Sequence, residues 1–532
     1  MPVPQPFKQL CFKLFVDARC YYLVGINPSG WLRSMRPPIL LNVALLTSLC
    51  VLEQAAPPKF ILTPEVQANL DRIRAASLRG DLSFIASDAL DGRDTPSPGL
   101  DIAAEYIAAQ FRRAGLEPAG DEGYFQTARM EVLAPNFEGF EITLGGGEHT
   151  YAAAPTDAVL TLSAAVDLKD IPIFKLDLGD SGSIEGLTPG QLNGKVVLIE
   201  FKRNVMRNYR TAARVLRSAR PAAIIMVDRT GATGGSPGEA HLADPEQRAP
   251  TSPQITLLSA AASDFYASLK AGATDAKATI HVAAPQEKLV KLRNVIGILR
   301  GSDPDLQDTA VLVTAHYDHL GENADHRIYN GANDDGSGTV SVIEVARALS
   351  SLKPRPRRSI VFMTFFGEEK GLMGSRYYVR HPAWPLEKTI AQLNLEQLGR
   401  TDSTEGPQIA NATMTGFDFS NVEEYLRRAG ELTGIKIYKN GRESDLYFNA
   451  SDNYSLAEAG VPAHTVTVAF NYPDYHAVGD EWQKIDYDNM ARVDRTVALT
   501  VILLADGEQP PHWNESDPKA APYLKAWKQH RQ

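Results

Sequence analysis

Cysteine is nearly absent from this 532-residue chain, and its three copies, Cys11, Cys20 and Cys50, all lie within residues 1–50. Beyond that segment no disulfide and no thiolate metal ligand can form, so a metal site there must use nitrogen and oxygen ligands. Cysteine usage leaves the compartment open, because a cysteine-free body folds in reducing and in oxidising surroundings.

Positive charge is also scarce, and the formal net charge is −10. Without the five basic and two acidic residues of positions 1–56, the remainder carries 49 basic against 62 acidic residues, a net charge of −13. A body of this charge repels phosphate backbones. We therefore expect no nucleic-acid partner.

No apolar run reaches the ~20 residues that a membrane-spanning helix needs. The longest extends from Ile39 to Leu52 and is interrupted by three polar residues. It follows Met35-Arg36 and precedes Ala55-Ala56, which is the pattern of a secretory signal peptide that starts at Met35. We expect a secreted or periplasmic protein without a stable membrane span; a buried core helix is the alternative for this run.

The pattern of apolar and polar residues changes along the chain, and a chain of 532 residues is too long to fold around a single hydrophobic core. Helix patterns cover residues 64–82 and 100–116, short β-type runs follow, and strands alternate with helices beyond residue 292, as in a sheet covered by helices on both faces. We predict an N-terminal extension with a signal peptide (1–56), the N-terminal part of the main domain (57–129), an inserted domain (130–288), the main α/β domain (289–508) and a C-terminal tail (509–532).

Imidazole and carboxylate side chains follow the ends of four predicted strands. Strand 310–315 is followed by His316, strand 359–366 by the pair Glu368 and Glu369, strand 390–395 by Glu396, and strand 463–470 by Tyr475 and His476. Asp334 lies in the glycine-rich loop after the first of these strands. In open α/β sheets, sites form at the carboxyl ends of strands, so we expect these side chains to converge. Clustered carboxylates repel one another unless a cation neutralises them, which predicts a metal site.

Five ligands from five separate places, most of them carboxylates, fit two ions that share one bridging carboxylate. Two metals ~3.5–4 Å apart can hold a hydroxide between them and polarise a carbonyl. A further carboxylate that binds no metal must then shuttle protons. Glu368 and Glu369 are adjacent, so their side chains diverge; one can face the metal and the other the water, and these residues alone leave open which does which.

The motifs resemble those of the M28 family of co-catalytic zinc peptidases, which includes secreted bacterial aminopeptidases. The segments that carry the resemblance, in family order, are His316-Tyr-Asp318, 331–338, 367–375, 394–399 and Tyr475-His476. It covers residues 291–505, and 64–127 are similar to a helical lead-in; 130–288 resemble a protease-associated (PA) domain. The resemblance implies a three-layer α/β/α sandwich with a mixed, mostly parallel central sheet, like other zinc exopeptidases, plus an inserted, mainly-β PA domain.

The resemblance also implies a role for each site residue, with two zinc ions per chain. His316 and Glu396 would bind one zinc, Glu369 and His476 the other, and Asp334 would bridge them; Glu368 would be the general base, Asp318 would fix the tautomer of His316, and Tyr475 would hydrogen-bond the tetrahedral oxyanion.

The chain departs from the family pattern at two positions. Glu396 stands where aspartate is usual, and its extra methylene shifts the carboxylate by about 1.5 Å. This leaves the identity of the metal at that ion open. Asn453 stands where a histidine often follows the aspartate, so we interpret Asp452 as a helix cap.

Other polar residues near the motifs receive structural interpretations. We interpret His319 and His326 as polar loop residues, His464 as a hydrogen-bonded core residue and Arg93 as an anchor, and leave Asp335 and Asp480 open between a structural and a supporting role.

We predict a metal-dependent aminopeptidase that hydrolyses N-terminal residues from peptides through a hydroxide between two zinc ions, with Glu368 as the base. A carboxypeptidase or dipeptidase of the same family is the alternative, and it would need a cation such as Arg376 or Arg442 for the carboxylate of its substrate. A catalytically inactive binding ectodomain is a further alternative, against which the full ligand set argues.

Overall fold

The computed structural model describes residues 62–530, apart from gaps at 147, 180–183, 185, 203–205, 231–234, 248–251, 324, 403, 405 and 442. The chain divides into Met1–Lys59 and Phe60–Gln532, and every described residue belongs to the second unit. The predicted signal peptide and Arg442 therefore lie outside the described residues.

The predicted helix over 100–116 is found at Pro98–Ala114. The structure describes helices along the whole range from Pro64 to His530. They are α1 (Pro64–Leu70), α2 (Ala75–Ile85), α3 (Pro98–Ala114), α4 (Pro189–Leu192), α5 (Met206–Ala219), α6 (Ala260–Ser268), α7 (Ser337–Ser350), α8 (Met373–Arg380), α9 (Val422–Thr433), α10 (Glu443–Leu446), α11 (Asn453–Glu458), α12 (Tyr487–Asp506) and α13 (Ala521–His530). Helix α3 has the expected end signals, because Ser97 caps it, Pro98 starts it and Gly115 ends it with a φ of 74°. None of the helices that the structure describes has both the length and the apolarity to cross a membrane.

The prediction of one helix over 64–82 is wrong, since α1 and α2 are separate. Arg74 is extended, with a φ of −128° and a ψ of 142°. This turn buries Ile73 completely and presents its carbonyl oxygen to Nη2 of Arg495 at 2.8 Å. Burial of Ile73 and the hydrogen bond to α12 thus override the helical periodicity.

Among the described residues the main sheet has ten strands, and it is mixed, as predicted. Its strands are β1 (Glu117–Pro118), β2 (Phe125–Ala134), β9 (His241–Ala243), β12 (Gln286–Leu299), β13 (Ala310–His316), β16 (Ser359–Phe365), β17 (Thr389–Leu395), β18 (Asn411–Met414), β19 (Lys436–Ile437) and β20 (Ala463–Thr467). The four central strands β20, β17, β13 and β16 are parallel to one another. Antiparallel pairs flank them, including β16 with β12 and β12 with β2. Two short strands, β14 (Gly321–Glu322) and β15 (Ile328–Tyr329), form a separate antiparallel pair.

Helices cover both faces of this sheet, which gives three layers. Along β13, Val311 and Val313 belong to one buried cluster, to which α2, α3, α7 and α12 also contribute. Leu312 points to the opposite face, into a second cluster that contains Tyr378 of α8 and Leu456 of α11. Alternate side chains of a strand point to opposite faces, so a strand buried on both faces is apolar throughout.

The C-terminal tail docks on this second cluster. Trp513 is 1% exposed, and its Nε1 donates to the carbonyl oxygen of Gly460 at 2.8 Å. Tyr523, Leu524 and Trp527 pack against the same cluster. Residues 509–530, the predicted C-terminal tail as far as the structure describes it, therefore pack against the folded domain.

A second sheet of eight strands occupies most of the predicted 130–288 insert. Its strands are β3 (Glu141–Gly146), β4 (His149–Ala152), β5 (Ala158–Thr161), β6 (Val166–Leu176), β7 (Val196–Glu200), β8 (Ala223–Val227), β10 (Gln254–Leu257) and β11 (Gly272–Val282). It has its own apolar clusters, and helices α4, α5 and α6 accompany it. The long strands β2 and β12 pair from Val295↔Phe125 to Gln286↔Ala134 and lead the chain out to this sheet and back.

Candidate metal centre

The predicted ligands lie at one edge of the main sheet because its central strands are parallel. His316 is the last residue of β13, and Glu396 directly follows β17. Glu368 and Glu369 follow β16 after two residues, and His476 lies in the loop after β20. The carboxyl ends of these strands place the four segments next to one another.

A first group of ligand atoms comes from His316, Asp334 and Glu396, one from each residue, and all lie within 4.8 Å of one another. Nε2 of His316 is 3.3 Å from Oδ1 of Asp334. His316 Nε2 and Glu396 Oε2 are both buried, and neither makes a hydrogen bond with a described residue. Buried polar atoms normally have a partner, so this convergence fits a cation.

A second group lies on the other side of Asp334. Nε2 of His476 is 3.1 Å from Oδ2 of Asp334 and 3.5 Å from Oε2 of Glu369. Ligand atoms ~2.0–2.2 Å from one zinc ion stand about this far apart. The carboxylate of Asp334 thus lies between two groups, with one oxygen facing each.

Asp318 links the imidazole of His316 to the segment that carries Glu368. His316 Nδ1 is 3.2 Å from the backbone carbonyl oxygen of Asp318 and 3.5 Å from its carboxylate Oδ1, so the carbonyl is the nearer partner. The backbone N–H of Glu368 donates to the same Oδ1 at 3.1 Å. Oε2 of Glu368 lies 4.0 Å from Nε2 of His316. Glu368 therefore borders the first group.

Asp480 stabilises the loop that carries Asp334 through hydrogen bonds. The carboxylate of Asp480 accepts hydrogen bonds from the backbone N–H groups of Asn333, at 3.0 Å, and Asp334, at 3.1 Å. The hydroxyl of Tyr472 donates to it at 2.9 Å. Asp480, left open by the sequence, thus supports the Asp334 loop. Asp335 accepts a 2.8 Å hydrogen bond from the N–H of Gly338 near the start of α7, which is a structural role.

The charges of the cluster shift the pKa values of its own members. Burial raises the pKa of Glu396 to about 7, against the opposing effect of His316. Burial also raises the pKa of Glu368 well above its ordinary value. For His476, burial lowers the pKa, but the carboxylates of Asp334 and Glu369 more than reverse this and raise it to about 10. Close packing of these acids is unfavourable, and a bound cation would offset it.

A cavity of about 380 Å³ opens onto the cluster. Glu368, Glu369 and Glu396 line it together with His476 and Tyr475. The ring of Tyr475 is 42% exposed and stacks on that of His476, with 4.0 Å between centroids. A substrate in this cavity would meet both ligand groups, Glu368 and a phenol hydroxyl.

Two interpretations of residues near the cluster are wrong. Asp452 makes no side-chain cap hydrogen bond to α11, so it is not a helix cap. Asp452 is fully buried, and burial raises its pKa to about 7 although the charge of His316 acts to lower it. His319 is also fully buried, with Nδ1 2.9 Å from Oε1 of Glu369, and is not simply a polar loop residue. The repeated histidine in His316-Tyr-Asp318-His319 is the signal that could have indicated it.

The remaining interpretations agree with the structure. His326 is exposed and pairs with Glu322. His464 is buried, with ring nitrogens 2.6 Å from Oγ of Ser420 and 2.8 Å from the carbonyl oxygen of Thr415, which confirms a hydrogen-bonded core residue. Arg93 is buried and donates to four backbone carbonyl oxygens, which confirms an anchor.

Two curated proteins are similar to part of this chain. The Vacuolar membrane protease of Neosartorya fischeri is 31% identical over 199 residues, 37% of this chain and 19% of that protein. Aminopeptidase YwaD of Bacillus subtilis is 29% identical over 243 residues, 43% of this chain and 48% of that protein. The chain thus spans less than half the length of either relative.

Solved structures share the fold. An aminopeptidase from Aneurinibacillus sp. strain AM-1 superimposes with a TM-score of 0.53 at 21% identity, over 85% of this chain and 98% of that one. The family model of peptidase family M28 matches residues 294–501, which contain every ligand of both groups. Residues 294–501 therefore form a peptidase family M28 domain.

Proposed function

We propose that the protein is a zinc-dependent aminopeptidase that removes N-terminal residues from peptides with two ions in one site. The observation that carries the proposal is the position of Asp334, whose two carboxylate oxygens face two separate ligand groups. Membership of family M28 supports it, and so does the aminopeptidase activity named for the Bacillus relative.

The two groups would hold the ions through nitrogen and oxygen ligands alone. His316, Asp334 and Glu396 would hold one ion. Asp334, Glu369 and His476 would hold the other. When bound, zinc polarises the scissile carbonyl and lowers the pKa of the attacking water. Zinc is the proposed metal because imidazole and carboxylate ligands suit it.

Glu368 would act as the general base. Its side chain is 11% exposed, lines the cavity and belongs to neither ligand group. It would accept a proton from the attacking water and deliver it to the leaving amine. The hydrogen bond from its backbone N–H to Asp318 fixes its position beside His316.

The charge of the cavity favours a substrate with a free α-amine. Carboxylates dominate its lining and the chain as a whole carries a net charge of −10, which favours a cationic α-amine over an anionic group at this site.

A panel of paired substrates tests this proposal. Aminoacyl anilides and their N-acetylated forms are offered to the enzyme with and without a chelator. We expect hydrolysis of the free-amine compounds only, abolished by chelation and restored by zinc. Equal hydrolysis of blocked compounds, or full activity in chelator, would contradict the proposal.

Tyr475→Phe is expected to lower kcat by up to about 10²-fold with little change in KM. Burial raises the pKa of the Tyr475 phenol, so the hydroxyl keeps its proton and can donate to a developing oxyanion. The stacking ring on His476 is preserved in the variant. Steady-state kinetics on an aminoacyl anilide check this, and an unchanged kcat would remove Tyr475 from the chemistry.

A second candidate function, a dipeptidase or carboxypeptidase, is favoured by Arg376. This exposed guanidinium lines the same cavity and forms no ion pair with a described residue. An unpaired cation at the edge of an acidic cavity would suit a free substrate carboxylate.

Arg376→Gln distinguishes the two functions. If the substrate carboxylate binds Arg376, KM for a dipeptide rises about 10-fold or more, whereas KM for a dipeptide amide stays unchanged. Arg129→Gln, at an exposed cation that does not line the cavity, is the matched control. Equal KM changes for both substrates would discard a carboxylate role.

We also propose that the inserted domain is a PA domain and that residues 35–56 direct export. Ala134 pairs with Gln286, so a two-residue turn could join them in a deletion variant that also removes β9 from the edge of the main sheet. Retention of the zinc site in that deletion variant would support a separate domain. N-terminal sequencing of exported protein tests the signal peptide, and a sequence that starts at residue 1 would contradict it.

A further inference from the structure

His319 lies at the second ligand group, and one of its ring nitrogens is within 4.8 Å of ligand atoms of Asp334 and Glu369. None of the roles given to the five ligands accounts for it. Its side chain is fully buried, and Nδ1 is 2.9 Å from Oε1 of Glu369. The other oxygen of Glu369, Oε2, faces Nε2 of His476 at 3.5 Å. The two oxygens of this one carboxylate therefore face two different imidazoles.

Close packing fixes the imidazole of His319 in place. Gly331 has a φ of +54°, and a Cβ there would meet Cγ of His319 at 2.4 Å. The backbone N–H of His319 donates to the carbonyl oxygen of Arg93 at 3.2 Å. A residue larger than glycine at position 331 would displace the ring, so the loop is built around it.

The polar atoms of this pair have no other hydrogen-bond partner among the described residues. Both ring nitrogens of His319 and Oε1 of Glu369 are buried without one. Buried donors and acceptors are costly when unpaired. At 2.9 Å, a small rotation of the ring aligns an Nδ1–H with Oε1 and satisfies two of the three atoms.

We propose that His319 is a positioning residue of the second ion: its Nδ1–H holds Oε1 of Glu369, which leaves Oε2 to bind the ion beside His476. The proposal rests on the two-ion function. Partners that hydrogen-bond a ligating carboxylate orient it, and their loss typically weakens metal binding about 10- to 100-fold.

Zinc titration against a competing chelator tests this in the full chain. Wild type is expected to bind two ions. His319→Leu should keep one ion and bind the other about 10- to 100-fold more weakly. His319→Asn should restore wild-type affinity, because its amide nitrogen replaces Nδ1 as the donor. His326→Asn, at an exposed histidine seven residues further along, is the control and should change nothing.

Other outcomes of the zinc titration separate a failure of the two-ion function from a failure of the role of His319. If wild type binds no zinc, the two-ion function fails and this role with it. If wild type binds two ions and His319→Leu binds both equally well, only the role of His319 fails. If His319→Asn binds zinc as weakly as His319→Leu, the imidazole is itself a ligand and the positioning role is overturned. Thermal unfolding of the metal-free variants checks that they fold. If His319→Leu does not fold, His319→Gln replaces it, because its amide is displaced from the position of Nδ1 and the same loss of zinc affinity is expected.

Discussion

Glu368→Gln is expected to lower kcat by about 10²- to 10⁴-fold while both ions stay bound. Glutamine has nearly the same shape as glutamate but accepts no proton at neutral pH, so the variant removes the base and little else. The backbone N–H of Glu368, which donates to Asp318, is unaffected by the change. Because Glu368 belongs to neither ligand group, zinc affinity should be preserved.

Glu369→Gln is the matched control, since it makes the same chemical change one residue further along. Glu369 contributes to the second ligand group, so this variant should lose affinity for one ion. Zinc content and kcat are measured on both proteins. If Glu368→Gln loses zinc while Glu369→Gln keeps it, the assignments of base and ligand must be exchanged. Unchanged activity of Glu368→Gln would remove the general base altogether.

The ligand positions could be predicted from sequence because each follows an apolar strand directly or within a short motif. Parallel pairing, such as His316↔Phe365 and Thr314↔Asn394, then places those strand ends side by side. Neither step needs long-range packing information. The local pattern and the rule for strand ends in open sheets give the candidate residues. The choice between Glu368 and Glu369 as ligand comes from the resemblance to family M28.

His319 could not be assigned in this way, because its position depends on the approach of Gly331 across the loop. A sequence shows a polar residue in a loop and does not show that the ring is enclosed. Asp480 is a similar case. Its partners are backbone N–H groups of Asn333 and Asp334, almost 150 residues earlier, and hydrogen bonds to backbone leave no pattern in the partner's side chains.

Arg93→Leu is expected to give the largest loss of stability, about 3–5 kcal/mol in free energy of unfolding. The guanidinium is completely buried. It donates to the carbonyl oxygens of Tyr317 (2.8 Å), Asn330 (2.8 Å), Gly331 (3.0 Å) and Ile85 (2.5 Å). It thereby ties the end of α2 to the residue after His316 and to the loop before Asp334.

The charge of Arg93 adds to these hydrogen bonds. Burial lowers its pKa to about 10, while Asp318, Asp480 and further site carboxylates oppose this, so the group remains a cation at neutral pH. Leucine would leave four buried carbonyl oxygens without this donor and would remove the positive charge that faces the acids. Arg93→Lys keeps the charge but loses the planar fork of donors, so an intermediate loss is expected.

Urea denaturation of metal-free protein measures these losses, with Arg300→Leu as the control. Arg300 is 38% exposed and pairs with Glu117 at 2.9 Å, so its removal should cost about 0–1 kcal/mol. Zinc affinity should fall with Arg93→Leu as well, because the residues that Arg93 ties together carry His316 and Asp334. A stability within about 1 kcal/mol of wild type, the range of an exposed pair, would contradict the anchoring role. The buried cation would then be replaceable by packing alone, and the geometry of the metal site would depend on Asp480 and the sheet edge instead.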